Sequence, residues 1–344
     1  MYTYQEVKIW VQWTSLVCSL CLNSLLIYLI LTQSPRKMGN YRYLMIYFSL
    51  FAMLFSTVDA ITGPFVHSYE KSFCVVSDKR NWPTFLGENV QFLMICALCG
   101  CFGVTITFFA IHFVFRYFAL ERQGRLSYFH GLYFFVWLTI PIIFGVLWAM
   151  VIGFLVGPDA EKTEYFRESI WSSYNLTMEN VTYVGSVYWR KTVNGEEEIV
   201  ANSLIAILIF MSMMTISFSV VCYYGYLSYK RITSLIDEGE SAFTRNLQRQ
   251  LYKALVVQAI IPIVLMYAPV GSYLILPFFG VNIAPFSKLV TFVYAAYPAV
   301  DPLPLMFIID NYRHAIADFF YCCSSNKSRV SASEEEISRG QTTI

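Results

Sequence analysis

Seven stretches of this chain are long and apolar enough to cross a bilayer, and that constrains the fold more than any other feature. A span needs about 20 mostly apolar residues, because the hydrocarbon core is about 30 Å thick and a helix rises about 1.5 Å per residue. The stretches run over residues 9–31, 43–65, 90–114, 133–156, 200–226, 254–277 and 286–309 of the 344-residue sequence. Composition agrees: 57% of residues are hydrophobic and only 14% charged, against about 25% charged in soluble domains. The expected fold is an all-α membrane protein, a seven-transmembrane helix bundle. The net charge of +1 leaves no broad basic face for nucleic acid. The N-terminus has no basic segment followed by a short apolar run and a small-residue cleavage site. The first run is therefore read as a retained helix.

Orientation follows from the basic residues of the short loops. With the N-terminus outside, the inner segments hold most of the 24 lysines and arginines, among them Arg36, Lys37, Arg42, Arg116, Lys230, Arg231, Arg245 and Arg249. The long acidic loop 157–199 then lies outside. It carries two glycosylation triplets, at Asn175 and Asn180, and a third at Asn326 falls on the inner side, where it should stay unused. The loop has no cysteine, so it cannot be tied by a disulfide to the third span. Cys74 either pairs with Cys96 or stays a free thiol. The domain plan is an extracellular N-terminus (1–8), a receptor domain (9–309), a short interfacial helix (310–323) and a disordered cytoplasmic tail (324–344). Residues 309–320 place Ile309, Tyr312, Ile316 and Phe319 near helical spacing, as in a helix lying in the inner interface. Cys322 and Cys323 follow it. They are either acylation sites or plain surface thiols.

Polar groups inside a span are costly, so each is a candidate site. Asp59 lies in the outer half of the second span. It either contacts a ligand or bonds a neighbouring helix. Glu88, Asn89 and Gln91 stand at the outer mouth of the third span, where they either line a pocket or mark the helix start. Tyr267 is a further ligand candidate, and Gln258 suits an interhelical hydrogen bond. Pro262, Pro269 and Asp301-Pro302 can bend the sixth and seventh spans and act as switch points. Arg116 and Tyr117 end the third span at the inner face, where the arginine can hold the bundle closed or meet a partner. No hydrolase, zinc-protease or phosphate-loop motif is present. Scattered histidines give the cysteines no metal-ligand company, so neither catalysis nor a cofactor or metal is expected.

Several ordered motifs carry a family resemblance. They are Met38-Gly-Asn-Tyr-Arg-Tyr-Leu-Met45, Gly63-Pro-Phe-Val-His67-Ser68 and His112-Phe-Val-Phe-Arg-Tyr-Phe-Ala119. Further on come the run from Leu247 through Gln248, Arg249 and Gln250 to Gln258, and the run from Ile261 through Pro262 and Tyr267 to Pro269. Tyr297-Pro-Ala-Val-Asp-Pro-Leu303 and Asp310-Asn-Tyr-Arg313 complete the set. Together, over about residues 20–322, they resemble the nematode Str-class serpentine chemoreceptors, the group that includes the diacetyl odorant receptor. The resemblance implies a G-protein-coupled odorant receptor of the plasma membrane, in the cilia of chemosensory neurons. Its partners would be a small volatile ligand such as a diacetyl-like ketone, a heterotrimeric G protein and an accessory trafficking protein. Arg116 and Tyr117, with Lys230, Arg231 and Arg249, would then meet the G protein. Phe115 stands where an aspartate precedes the arginine in rhodopsin-like receptors, so the usual acidic lock is absent. The rival readings are a ligand-gated channel subunit and a seven-helix transporter or membrane enzyme. A channel would want a polar stripe along one helix. A transporter or enzyme would want clustered acids in mid-membrane, but Asp59 and Asp301 lie in opposite halves of the bilayer.

Overall fold

The computed structural model describes residues 3–35, 38–82, 87–120, 129, 131–192, 194–234 and 241–319. Helix α1 (Tyr4–Gln33) starts on a capping box: Thr3 Oγ1 accepts from the Glu6 N–H, and the Glu6 carboxylate accepts from the Thr3 N–H. It thus begins ahead of the apolar run that marks it in the sequence. Helix α2 (Tyr41–Thr62) stops at Gly63, whose φ of 55° is left-handed and whose N–H bonds Asp59 O at 2.9 Å. Pro64 then cannot continue the helix. The apolar run 43–65 overshoots that end, because Pro64 and Phe65 already belong to a strand.

Helix α3 (Glu88–Leu120) is the most buried span and runs through the centre. It packs tightly on α4 (Leu132–Leu155). A Cβ added to Gly145 would fall 2.3 Å from Val104 Cγ2, and one added to Gly100 would fall 2.7 Å from Gly145 O. The two backbones touch there, as small residues allow between membrane helices. The outer surface of α4 exposes Leu132, Phe135, Ile143 and Phe154. A soluble domain could not carry that surface, but lipid covers it. Helix α5 (Ala160–Tyr174) lies outside the bundle, and α6 (Ala201–Ser234) is the fifth span.

Prolines shape the last two spans. The sixth is α7 (Ala242–Pro262), a π-helical turn at Ile263–Tyr267, and α8 (Ala268–Ile275). Pro262 and Pro269 supply no N–H, and the ladder slips between them. The seventh is α9 (Ala284–Val300) and α10 (Leu303–Ile308), interrupted at Asp301-Pro302. Pro302 lacks the N–H that would bond Pro298 O. That carbonyl accepts instead from Asn23 Nδ2 at 3.0 Å and Ser19 Oγ at 3.4 Å on α1. The freed acceptor therefore ties the first span to the seventh. Among the described residues six helices are continuous enough to cross a bilayer by length and composition, and this broken pair makes the seventh. Helix α11 (310–319) follows at once.

Taking the basic loops to the cytoplasm, the outer side holds a folded cap. Strands β1 (Pro64–Tyr69), β2 (Ser72–Asp78) and β3 (Val181–Val187) form an antiparallel sheet in the order β1-β2-β3. The β1–β2 turn places Glu70 at a φ of 46°. Helix α5, capped by the Asp159 side chain, packs Phe166 and Ile170 against Phe65, Val76 and Tyr183. A two-stranded ribbon of β4 (Trp189–Lys191) and β5 (Glu197–Ile199) leads into α6. The segment that reads as an acidic loop is thus a small α/β cap with its own apolar core. Cys74 lies within it at 0% exposure as a free thiol, and Cys96 is also free. Burial pushes the Cys74 thiol up.

Candidate functional site

The sheet forms a roof, and it is bolted to the bundle from several sides. Gln91 Nε2 on α3 donates to Ser77 Oγ at 3.0 Å, and Thr182 Oγ1 donates to Gln91 Oε1 at 2.9 Å. The Val66 N–H donates to Thr291 Oγ1 on α9 at 3.1 Å. Ser203 Oγ on α6 donates to Val187 O at 2.8 Å, and Tyr188 OH donates to Leu274 O on α8 at 2.9 Å. Ladder and bolts together satisfy backbone groups that would be costly to leave unpaired at that depth.

Beneath this roof lies a cavity of about 110 Å³. Val66, Phe73 and Val75 of the sheet cover it. Leu98, Cys99 and Phe102 of α3, Trp148 and Ile152 of α4 and Phe210 of α6 form one side. Val270, Tyr273 and Leu274 of α8 and Val290, Thr291 and Tyr294 of α9 form the other. Trp148 and Phe210 stack at 4.3 Å between ring centroids, which stiffens one wall. The remaining lining includes Asp59 from α2, 5% exposed. The cavity is nearly all apolar, as small-molecule sites are.

Of the ligand candidates read from the sequence, Asp59 lies on this cavity. Gln91 is buried at 1% exposure between α3 and the sheet, where it holds the roof. Asn89 is exposed and borders an outer groove beside Lys162 and Thr182. Glu88 opens α3. Tyr267 packs on Phe102 at 5.9 Å between centroids and donates to Ser217 Oγ at 3.1 Å, in the layer behind the lining. Phe102, Trp148, Tyr273 and Tyr294 were not singled out by the sequence. Within an apolar span, a residue that lines a cavity looks like one that faces lipid.

The inner face is closed by side-chain contacts. Arg116, 2% exposed, donates to Gln248 O at 2.8 Å and also to Gln248 Oε1. Its guanidinium stands 5.9 Å from the Tyr41 ring centroid. Gln248 and Gln250 sit two residues apart on α7, so they point to opposite sides. Gln250 accordingly turns to the other neighbour: its Nε2 donates to the Asp310 carboxylate, and its Oε1 accepts from the Asp310 N–H at 3.0 Å. Two glutamines thus tie α7 both to α3 and to the start of α11. Tyr117 packs on Tyr224 at 5.5 Å between centroids. Arg231 reaches Leu120 O at 3.4 Å, while Lys230 and Arg249 are exposed on the same face.

Between the two faces, Asp301 is 1% exposed and accepts from Gln258 Nε2 at 2.9 Å and from Tyr297 OH at 3.3 Å. The sixth and seventh spans are joined there, next to the Pro302 break and one turn below the π-helical turn. Asn175 and Asn180 are both exposed on the cap. Cys322, Cys323, the Asn326 triplet and the tail lie outside the described residues.

The comparisons with known proteins agree with this geometry. The family described as "Serpentine type 7TM GPCR chemoreceptor Str" matches residues 8–317. The chain is 34% identical over 328 residues to "Serpentine receptor class r-10" of Caenorhabditis elegans, covering 93% of each chain. It is 32% identical over 320 residues to the protein of the same name from Caenorhabditis briggsae, covering 91% of this chain and 90% of that one. It is 31% identical over 304 residues to "G-protein coupled receptor str-217" of C. elegans, covering 88% of this chain and 86% of that one. A bundle of seven spans with a roofed outer cavity and a closed inner face therefore belongs to the Str family of serpentine seven-transmembrane chemoreceptors, multi-pass membrane proteins of the G-protein-coupled class.

Proposed function

We propose that the chain detects a small, volatile molecule in the cavity beneath the outer sheet and activates a heterotrimeric G protein at its inner face. The roofed, apolar cavity among the outer halves of six spans is the observation that carries this reading. Its size, about 110 Å³, fits on the order of four heavy atoms, since one water occupies about 30 Å³. With at most about 1.5 kcal/mol per heavy atom, such a ligand binds with micromolar or weaker affinity.

A ligand shifts the receptor only by binding one bundle arrangement better than the other. The sixth span is suited to respond. Its outer half lines the cavity through Val270, Tyr273 and Leu274, and its inner half holds Gln248 and Gln250. Between them lies the π-helical turn bounded by Pro262 and Pro269, where a helix yields most easily. Asp301-Pro302 offers a second yielding point beside it. Movement of α7 away from α3 would break the Arg116–Gln248 contact. It would present Arg116 and Tyr117, with Lys230, Arg231 and Arg249, to the G protein. In this reading Asn175 and Asn180 carry glycans, Cys322 and Cys323 carry acyl chains, and an accessory protein brings the receptor to the ciliary membrane.

The test is a calcium or cyclic-nucleotide response in cells expressing the receptor, challenged with small ketones, alcohols, amines and acids. Arg116→Ala is run beside the wild type after surface expression is matched. Loss of the response in the variant, and under a G-protein block, is expected. A ligand-evoked current that survives both would instead make the chain a channel subunit.

A further inference from the structure

We propose that the cavity is built for a short-chain alkyl amine, whose ammonium group meets the Asp59 carboxylate while its alkyl part fills the aromatic chamber. The proposal rests on the receptor reading above and narrows its ligand to a chemical class.

Three observations carry it. First, Asp59 is the one charged group among the described residues that line the cavity, and it is buried at 5% exposure. Its carboxylate makes no hydrogen bond to any described residue, whereas the other buried acid of the spans, Asp301, accepts two. A buried carboxylate without donors is costly, and the cost falls when a ligand supplies them. Second, the nearest cation is engaged elsewhere. Lys8 Nζ donates to Gly63 O at 2.6 Å, at the end of α2, and stands 5.1 Å from the Phe65 ring centroid. Its charge is shared between Asp78 and Asp59, and it lends Asp59 no hydrogen bond. Asp78 has its own partner, Arg80, at 2.8 Å. Third, the other polar groups of the lining are divided in a way that suits a donor at one end of the ligand. Thr291 Oγ1 is used up by the Val66 N–H and Ser287 O, and Tyr273 OH by Ser287 Oγ. Tyr294 OH, like Asp59, bonds no described residue, and its oxygen can accept a second ammonium proton.

The chemistry selects among odorants of equal size. A ketone or diketone brings acceptors only, and its carbonyl oxygen would face a carboxylate with no proton between them. An alcohol brings one neutral donor. An ammonium brings three donors and the opposite charge, and the charge-assisted bond strengthens in a low-dielectric chamber. The chamber's volume limits the remainder to a few carbons.

The experiment uses the full-length receptor, purified in detergent, and reads thermal stabilisation by isobutylamine, isobutanol and butan-2-one, which match in size. The same probes are applied to cells with the G-protein readout. Isobutylamine should stabilise the wild type at the lowest concentration and evoke the strongest response. Asp59→Asn, of the same shape, should weaken the amine by about tenfold to a hundredfold while leaving isobutanol where it was. Leu98→Trp, which fills the cavity, should remove binding of all three. It keeps the site testable if Asp59→Asn does not fold, with the wild-type ranking of the probes as the readout. Isobutanol or butan-2-one binding as tightly as the amine, an amine effect unchanged by Asp59→Asn, or no amine effect at millimolar concentration each overturn the proposal. Amine binding without a G-protein response would leave the ligand class standing and sink the signalling reading instead.

Discussion

The outer and inner ends of this bundle are closed by different kinds of bond. Outside, a three-stranded sheet is paired over its length, from Pro64↔Ser77 to Tyr69↔Ser72 and from Ser72↔Val187 to Asp78↔Val181. Side chains from α3, α6 and α9 reach onto it, and Tyr188, the residue after β3, reaches α8. Inside, closure rests on Gln248 and Gln250 gripping Arg116 and Asp310. A backbone ladder is cooperative and opens as a unit. Single side-chain bonds are worth about 1 kcal/mol each and break one at a time. A ligand of a few atoms, with only a few kcal/mol to distribute, can therefore move the inner end and not the outer one.

The largest break of this contrast is Gly185→Val. A Cβ at Gly185 would fall 2.6 Å from Cys74 Cβ and 2.8 Å from Phe73 O. A β-branched side chain cannot fit between β2 and β3 without parting them. The expected cost is about 3 kcal/mol or more, with loss of the cap and of surface expression. Cell-surface labelling against total protein reads it. Normal surface levels would mean that the roof does not hold the bundle together.

Acid should act on the same end, somewhat less. His67 on β1 is 4% exposed, pairs with Ser169 Oγ at 3.2 Å and lies against the Tyr174 ring at 5.4 Å. Burial lowers its pKa to about 4, from an ordinary value of 6.5. A base with a depressed folded pKa takes up its proton more readily when unfolded. Its destabilisation is absent above pH 6.5, grows as the pH falls toward 4 and levels off below that. The full effect is about 3 kcal/mol at most. Thermal melts between pH 7 and 4 should show the decline, and His67→Gln should flatten it. The inner end has a buried imidazole of its own, His112, 2% exposed against Tyr41 and one turn from Arg116, so only the part of the decline that His67→Gln removes belongs to the outer end.

How much of this was legible in the sequence follows the same division between lipid and water. The spans were legible because lipid demands long apolar runs, and their ends were blurred where a cap or a proline, such as Gly63-Pro64, decides the boundary. Asp59, Asp301 and Gln258 stood out because polar residues are rare in such runs. The outer sheet did not: β1 and β2 are short, abut α2 and read as loop, and β3 pairs across about a hundred residues of chain. Gln91 read as either a pocket lining or a helix start, because the partner strand that fixes its role, β3, could not be foreseen. Gln248 was visible only as one letter of a motif. Its role depends on α7 lying beside α3, which no local spacing states.

The smallest change is the most informative about the inner end. Gln248→Ala removes one charge-assisted bond from Arg116 and leaves the backbone bond to residue 248 in place. The fold should lose almost nothing, since Leu247 and Leu251 still bury the same face of α7. The closed arrangement should lose about 1.5 kcal/mol relative to the open one, about tenfold in their ratio. Ligand-free signalling should therefore rise while surface expression stays level. Gln248→Glu should do the opposite, because it places a carboxylate beside the guanidinium and supplies the acid that Phe115 does not. Basal signalling by G-protein readout, ordered alanine above wild type above glutamate, would establish that a neutral side chain holds this receptor at rest. Equal basal signalling in all three would mean that the restraint lies elsewhere, with Gln250 and Asp310 the next contact to cut.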